Sequence, residues 1–236
     1  MHHTRSLATA LTCPLLLLSA VACTPTTSDE DSKQSAAPSS GASDGKGGGL
    51  RLADAVGRLK TATESRTGYE RTKFHLWIDA DHDGCNTRSE VLIAEAVKKP
   101  RRGSACRLTG GTWLSTYDGK TLTNARQLDI DHVVPLAEAW DSGASKWSAD
   151  RREAYANDLG AQRSLIAVSL GSNRSKGDKD PAEWMPPAKN DTCTYAADWV
   201  ASKLRWKLTA DRTEKTKLEQ IAAGCPRTMV AYKPAS

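Results

Sequence analysis

The chain has 236 residues, of which 33 are Lys or Arg and 28 are Asp or Glu, giving a formal net charge of +5. This length suits one ordinary domain beside a targeting segment. No apolar stretch is long and uninterrupted enough to span a bilayer comfortably, and no pair of cysteines has CxxC spacing, so the composition disfavours an integral membrane protein and a zinc ribbon.

The N-terminal residues 1–22 are predicted to form an export signal. Arg5 supplies a positive charge, a nearly uncharged stretch follows, and Ala20-Val21-Ala22 is a small-residue cleavage site. Cleavage there would leave Cys23 first, as in the lipobox of bacterial lipoproteins, although Ala20 replaces the usual Leu. The sequence therefore predicts an exported protein, either lipidated at Cys23 and held on the outer side of the cell membrane, or secreted.

Residues 23–49 are predicted to be a disordered tether, because they contain almost nothing apolar and could not offset the entropy of ordering. Residues 50–236 are predicted to form a single domain. Arg5 contributes one positive charge and the tether a net −2, so this domain carries +6. A basic domain on an acidic tether favours a polyanionic partner.

Hydrophobic periodicity and turn residues predict the elements of this domain. Leu52, Val56 and Leu59 share one helical face, residues 74–78 alternate as a strand, and Asp118-Gly119 is typical of a hairpin turn. Thr209 is a candidate N-cap and Gly224 a candidate helix stop. The predicted elements are a helix at 52–59, a strand at 74–78, a helix at 90–97, a hairpin of 112–117 and 120–123, a strand at 128–131, helical turns within 136–152, and helices at 195–208 and 214–223.

Four cysteines remain after the signal peptide and the lipidation site: Cys85, Cys106, Cys193 and Cys225. In an exported protein, oxidised pairs are the better interpretation, and four cysteines allow three connectivities. If the last two helices are antiparallel, the start of the first meets the end of the second, which favours the pairs Cys193–Cys225 and Cys85–Cys106.

An acidic loop precedes the second predicted helix. Asp79, Asp81 and Asp83, then Gly84 and, six residues further on, Glu90, fit the calcium-loop pattern of an EF-hand. A predicted strand stands where an EF-hand has its first helix. Two interpretations stay open: a Ca²⁺ site, or an acidic turn held by the disulfide Cys85–Cys106.

The densest basic run is Lys98-Lys99-Pro100-Arg101-Arg102. Such runs are most often solvated loops, and a phosphate-binding role is the alternative. Trp199 and Trp206 lie within the periodic C-terminal helices, so we interpret them as core residues rather than as platforms for nucleic-acid bases.

A strand that ends in Asp131-His132 carries the most informative motif. It occurs in Asp129-Ile130-Asp131-His132-Val133-Val134-Pro135, where alternation presents an acid and an imidazole side by side. A carboxylate binds Mg²⁺, and a neutral imidazole, with a pKa near 6.5, can remove a proton from water. Such a pair suits phosphodiester hydrolysis. Taken alone, it is more often a surface or hydrogen-bonded pair.

Two further motifs follow in order, Ala156-Asn157-Asp158-Leu159 and a segment from Asn173 to Pro181 that reads Asn-Arg-Ser-Lys-Gly-Asp-Lys-Asp-Pro. Together the three motifs resemble the HNH (ββα-metal) endonucleases, in particular secreted bacterial HNH proteins related to the C-terminal nuclease domain of GmrSD-type restriction enzymes. The resemblance implies an α+β fold with a core hairpin and helix, additional helices and a small antiparallel sheet.

Carried over to this sequence, the resemblance implies that His132 is the general base and that Asp131 and Asn173 bind the metal. It implies that Asn157 helps hold the site and substrate in position. Lys176 would share a helical face with Asn173 and contact a substrate phosphate. Arg174 is a further candidate phosphate contact. On residues alone, Asn157 could instead end a helix and Asn173 could cap one. Asp129 is interpreted as structural, and an outer-shell role at the metal is its alternative.

Two departures from the family pattern modify these expectations. The third HNH position is Asn rather than His, which favours Mg²⁺ or Mn²⁺ over Zn²⁺. Residues 136–152 insert helical turns between the two core strands, which weakens the assignment of Asn157.

The predicted function is an extracytoplasmic metal-dependent endonuclease that hydrolyses DNA, or RNA, with little sequence specificity and leaves a 5′-phosphate. The alternative is a non-enzymatic, calcium-stabilised surface protein that binds polyanions on a degenerate nuclease fold. No protein partner is predicted.

Overall fold

The computed structural model describes residues 49–236, so the predicted signal peptide, nearly all of the tether and the lipidation site Cys23 lie outside the described residues. Within this range the helices are α1 Leu52–Arg58, α2 Thr87–Glu95, α3 Leu136–Asp141, α4 Ala149–Ala156, α5 Leu170–Lys176, α6 Thr192–Trp206 and α7 Arg212–Gly224. The strands are β1 Leu50–Arg51, β2 Arg101–Arg102, β3 Leu108–Thr109, β4 Trp113–Ser115, β5 Lys120–Leu122, β6 Leu128–His132, β7 Leu165–Ser169 and β8 Met229–Val230. None of these helices is long and apolar enough to cross a membrane.

The strands form four antiparallel pairs, β1–β8, β2–β3, β4–β5 and β6–β7, which confirms the predicted α+β class. The β6–β7 ribbon is the longest pair, with a register running from Leu128 opposite Ser169 to His132 opposite Leu165. Helix α5 follows β7 directly, and the Ser169 hydroxyl caps it by accepting from the backbone N–H of Ser172. Strands β6 and β7 and helix α5 thus lie together, and α3 and α4 are inserted in the chain between the two strands.

Two clusters of buried apolar residues lie on opposite sides of the β6–β7 ribbon. The larger one contains Ile166 and Val168 of β7 and the apolar faces of α1, α3, α6 and α7; Trp199 and Trp206 belong to it, as predicted. The smaller one contains Ile130, Leu165 and Ala167 with residues of α2 and Trp113 of β4. The ribbon is therefore covered on both faces, which explains why all five residues of β7 are buried.

The C-terminal helices agree with the prediction, and the structure forms both favoured disulfides, Cys193–Cys225 and Cys85–Cys106. Thr209 was the wrong N-cap. The carboxylate of Asp211 accepts from the N–H of Glu214 at 2.7 Å and caps α7, whereas the Thr209 hydroxyl donates to the carbonyl of Ser142. Gly224 is the last residue of α7, so the predicted stop is within one position.

The predicted strand at 74–78 does not form. Among the described residues, the segment pairs with no neighbouring strand. The side chain of Asn157 instead donates to the carbonyl of His75 and accepts from the N–H of Ile78. Trp77 has φ 60°, which is incompatible with an extended strand. Helix α2 begins at Thr87 rather than at Glu90, because the side chain of Asn86 caps it.

Candidate active site

Alternation along β6 divides the predicted site between the two faces of the ribbon. Side chains two residues apart share a face, so Asp129 and Asp131 point to one side while Ile130 and His132 point to the other. Helix α5 packs over the carboxylate side, where Asn173 and Lys176 reach Asp129 and Asp131 respectively.

The carboxylate of Asp131 is buried and fully engaged by protein groups. The Tyr117 hydroxyl donates to Oδ2 at 2.6 Å, and the Lys176 ammonium lies 2.9 Å from Oδ1 and 2.8 Å from Oδ2. Lys176 also donates to the carbonyl of His132 at 2.9 Å. Burial raises the pKa of Asp131 and lowers the pKa of Lys176, and the attraction between the two opposes both shifts.

This geometry corrects the role predicted for Lys176. Its side chain has no exposed surface, and its ammonium is engaged by the Asp131 carboxylate and the His132 carbonyl, so it does not face a substrate phosphate. The helical spacing correctly predicted that Lys176 and Asn173 point to one side of α5, but that side faces β6. Arg174 is exposed, and its phosphate contact stays a prediction.

Asp129 and Asn173 form a more open pair on the same face of the ribbon. The Asn173 amide donates to Oδ2 of Asp129 at 3.2 Å, and both residues are partly exposed. Asn173 lies within α5 and does not cap it, because Ser169 is the N-cap. A carboxylate beside an amide is an oxygen donor set that suits Mg²⁺ or Mn²⁺. The donors at Asp129 and Asn173 fit such an ion, whereas Asp131 could join them only if Lys176 released its carboxylate.

The imidazole of His132 lies on the other face, between the rings of Trp77 and Tyr155, with centroid separations of 5.8 and 6.2 Å. Its Nε2 lies 2.9 Å from the carbonyl oxygen of Ala156, which can only accept a hydrogen bond, so Nε2 carries the proton. Burial lowers the pKa of His132 to about 4, and the charge of Arg71 contributes to that shift. A neutral ring protonated at Nε2 has its lone pair on Nδ1, which is the atom that could accept a proton.

Asn157 occupies the C-cap of α4 and joins three segments of the chain. Its amide donates to the carbonyls of His75 and Glu153, and its oxygen accepts from the N–H of Ile78 and from the hydroxyl of Thr87. The residue before it, Ala156, supplies the carbonyl that orients His132. Asn157 therefore supports the loop and the helix end on either side of the imidazole.

The acidic loop has its carboxylates gathered, with one oxygen each from Asp79, Asp81 and Asp83 within 4.8 Å of one another. Gly84, at φ 89°, donates its N–H to Asp79 at 3.0 Å. Arg102 lies against Asp83, 2.8 Å from its Oδ2. Burial and the neighbouring Asp83 and Asp81 raise the pKa of Glu90, which lies in the first turn of α2. The loop thus concentrates negative charge and offsets part of it with one guanidinium.

The basic run is only partly available to a ligand. Lys99 donates to the carbonyls of Ile93 and Ala94 near the end of α2, and Arg102 is paired with Asp83 as described above. Lys98 and Arg101 are exposed. Two of its four charges are therefore occupied by contacts within the protein.

Comparison with known proteins identifies the family. Residues 93–221 match the family described as GmrSD restriction endonucleases, C-terminal domain. The chain belongs to this family. It is also 42% identical over 158 residues to a protein of Arthroderma benhamiae described as an uncharacterized secreted protein, which covers 67% of this chain and 76% of that one. No solved structure matches the chain.

The part that matches the GmrSD C-terminal domain family contains β6, β7 and α5 with all the predicted HNH residues, whereas Trp77 and the acidic loop precede it. Two residues that contact the site, Tyr117 and Trp77, were not found by sequence reasoning. Asp129 was interpreted as structural, with an outer-shell role as the alternative, although alternation places it on the same face as Asp131. Nothing in the sequence signalled that Tyr117 would donate to Asp131, or that Trp77 would pack on His132.

Proposed function

We propose that this protein is a metal-dependent endonuclease that hydrolyses phosphodiester bonds of nucleic acid, with DNA as the expected substrate and RNA as the alternative. The observation that carries the proposal is the state of His132. Its Nε2–H is held by a backbone carbonyl and its Nδ1 is left with a lone pair, in a protein that belongs to a family of restriction endonuclease domains. A base in this state can accept a proton from an attacking water molecule at neutral pH.

The other residues of the site support the same chemistry. A divalent ion such as Mg²⁺ or Mn²⁺, when bound, would neutralise charge on the scissile phosphate and on the departing 3′ oxygen, leaving a 5′-phosphate. Asp129 and Asn173 would hold it, and Asp131 would ligate it directly or support β6 through Lys176 and Tyr117. None of these roles involves contact with the edge of a nucleobase. The net charge of +6 on residues 50–236 favours binding to phosphates with little sequence preference.

Export of the protein is part of the proposal. It is supported by the predicted signal at residues 1–22 and by the description of the Arthroderma benhamiae relative as a secreted protein. The two disulfides agree with an oxidising compartment. Lipidation of Cys23 would keep the nuclease at the outer surface of the cell membrane, where extracellular nucleic acid is its substrate.

The test is cleavage of a plasmid by the purified protein with Mg²⁺ or Mn²⁺. We expect His132→Ala to lower the rate at least about 100-fold, since general base catalysis typically contributes that much. His75→Ala is the matched control, because His75 is exposed and only pairs with Glu153 at 2.7 Å; its rate should be close to that of the native protein. Absence of cleavage by the native protein would support the rival function, a non-enzymatic polyanion-binding surface protein.

We further propose that the acidic loop binds Ca²⁺ for stability. The gathered oxygens of Asp79, Asp81 and Asp83 support this, and Arg102 would have to share Asp83 with the ion. Calcium should raise the melting temperature of the native protein, and Asp81→Asn should reduce that rise. Asp150→Asn, at an exposed position on α4, is the control and should respond as the native protein does. A native protein that shows neither heat nor a thermal shift on titration would end this proposal.

A further inference from the structure

The indole of Trp77 lies directly against the imidazole of His132. Their ring centroids are 5.8 Å apart and the planes are inclined by 32°. The side chain is partly exposed, so the indole also borders solvent beside the proposed general base. Within residues 49–236, no hydrogen-bond acceptor contacts its N–H. Trp77 precedes residues 93–221, so it is not part of the region that matches the family.

The backbone at Trp77 is held in a conformation that a bulky L-residue rarely adopts, with φ 60°. The surrounding contacts maintain it. Thr87 donates its N–H to the carbonyl of Ile78 at 2.9 Å, and Asn157 holds the N–H of Ile78 and the carbonyl of His75. Backbone strain that is held in place from both sides is typical of functional positions. Here its effect is to place the indole over His132.

A partly exposed indole beside the proposed general base suits a nucleobase, because stacking of bases on aromatic rings is a usual means of binding single-stranded nucleic acid. Trp147 offers a contrast, because the guanidinium of Arg151 lies 4.9 Å from its ring centroid and covers that face.

We propose that Trp77 is the stacking platform for an unpaired nucleobase next to the phosphodiester that is attacked at His132. Only a base that is out of its own stack has a free face for the indole, so the site takes single-stranded nucleic acid, or a duplex that is locally unpaired at the cut. The proposal rests on the proposed nuclease function for the position of the phosphodiester. Stacking tolerates any base, which agrees with low sequence preference.

The test compares Trp77→Leu with Trp77→Phe in the full-length protein. Both variants keep a non-glycine residue at φ 60°, so the backbone penalty is similar and only the aromatic face differs. Binding is measured in EDTA, where cleavage is absent, to a fluorescein-labelled oligothymidylate of about 12 nucleotides and to a duplex of the same length. We expect Trp77→Leu to bind the single strand about tenfold more weakly and Trp77→Phe to stay within about threefold of the native protein. Duplex binding should change less than about twofold in both.

Trp147→Leu is the matched control, because it also removes a partly buried indole but one with a covered face; its single-strand binding should equal that of the native protein. Native-like single-strand binding by Trp77→Leu would overturn the proposal. So would equal losses by the Leu and Phe variants on both probes with a lowered melting temperature, which would indicate a packing role alone.

The two proposals fail in different ways. If the native protein cleaves nothing but Trp77→Leu still loses single-strand binding, the nuclease proposal fails and the stacking platform remains. If the native protein cleaves nucleic acid, and Trp77→Leu keeps both its affinity and its KM for a single-stranded substrate, the proposed nuclease function stands and the proposed stacking role of Trp77 is wrong.

Discussion

Lys176 and Lys203 are both wholly buried lysines, but their surroundings differ in charge. Lys176 meets one carboxylate, that of Asp131, and burial lowers its pKa. Lys203 contacts two carboxylates, those of Glu138 at 2.7 Å and Glu214 at 2.6 Å. Burial lowers the pKa of Lys203, but the charges of the two carboxylates outweigh this effect and raise it. The same residue type thus has a lowered pKa in the candidate active site and a raised pKa in the core.

The carboxylates around Lys203 also carry an excess of negative charge. Glu64 is a third member, 3.9 Å from the ammonium. Burial and the neighbouring Glu138 raise the pKa of Glu64 to about 8, and burial raises the pKa of Glu214 to about 7. At neutral pH Glu64 therefore keeps its proton most of the time, and Glu214 keeps its proton for part of the time. In the candidate active site, by contrast, one carboxylate contacts one ammonium.

The largest effect is expected from Lys203→Met. It would leave Glu138 and Glu214 buried without their ammonium, and removing one partner of a buried ion pair costs about 3–5 kcal/mol. Urea unfolding measures the loss. Lys207→Met, at the exposed C-cap of α6, is the control and should stay within about 0.5 kcal/mol of the native protein. A loss below about 1 kcal/mol for Lys203→Met would remove the distinction between the two lysines.

Lys176→Met should cost less, about 2 kcal/mol, because only Asp131 is left unpaired, Tyr117 still donates to it, and it can take up a proton. The same unfolding measurement applies. Adding Asp131→Asn to Lys176→Met should then cost less than Asp131→Asn does in the native protein, since the two residues are coupled. Strictly additive losses of stability would mean that Asp131 and Lys176 are not energetically coupled.

The smallest effect is expected from Glu64→Gln, and it should depend on pH. The folded-state pKa of Glu64 lies above its unfolded value, so native stability falls as pH rises from about 4.5 towards 8. The amide cannot ionise, so the variant should be more stable by on the order of 1 kcal/mol at pH 8 and nearly equal at pH 5. Unfolding at the two pH values checks this. Glu219→Gln, exposed on α7, is the control and should show no such difference. If the stability of Glu64→Gln changed with pH in parallel with that of the native protein, the raised pKa of Glu64 would be refuted.

Local signals in the sequence predicted most of the fold. Periodicity located α1, α6 and α7, and the antiparallel helix pair identified the disulfide partners. Asp118-Gly119 located the β4–β5 hairpin, but the loop has four residues, 116–119, instead of the two predicted. The segment at 74–78 has the alternation of a strand and was predicted wrongly. Two of its backbone groups bond to Asn157, about 80 residues further along the chain, and no local pattern contains that information.

The sequence predicted which residues form the candidate site better than it predicted how they are arranged. The motifs located His132, Asp131, Asn157 and Asn173, and the structure places them on or beside one ribbon. Spacing on α5 predicted that Lys176 shares a side with Asn173, but not whether that side meets solvent or a buried carboxylate. That outcome depends on how α5 packs on β6, which is a tertiary property.

The amide of Asn157 connects the end of α4 to the loop at residues 75–78. Its nitrogen and its oxygen are both hydrogen-bonded to groups of the protein. We expect Asn157→Ala to lower the nuclease activity that we propose. The damage would come from the release of Trp77 and from movement of the carbonyl that orients His132, not from a missing contact with substrate. Asn157 would thus support the proposed site by holding its neighbours in place, without contact with the nucleic acid.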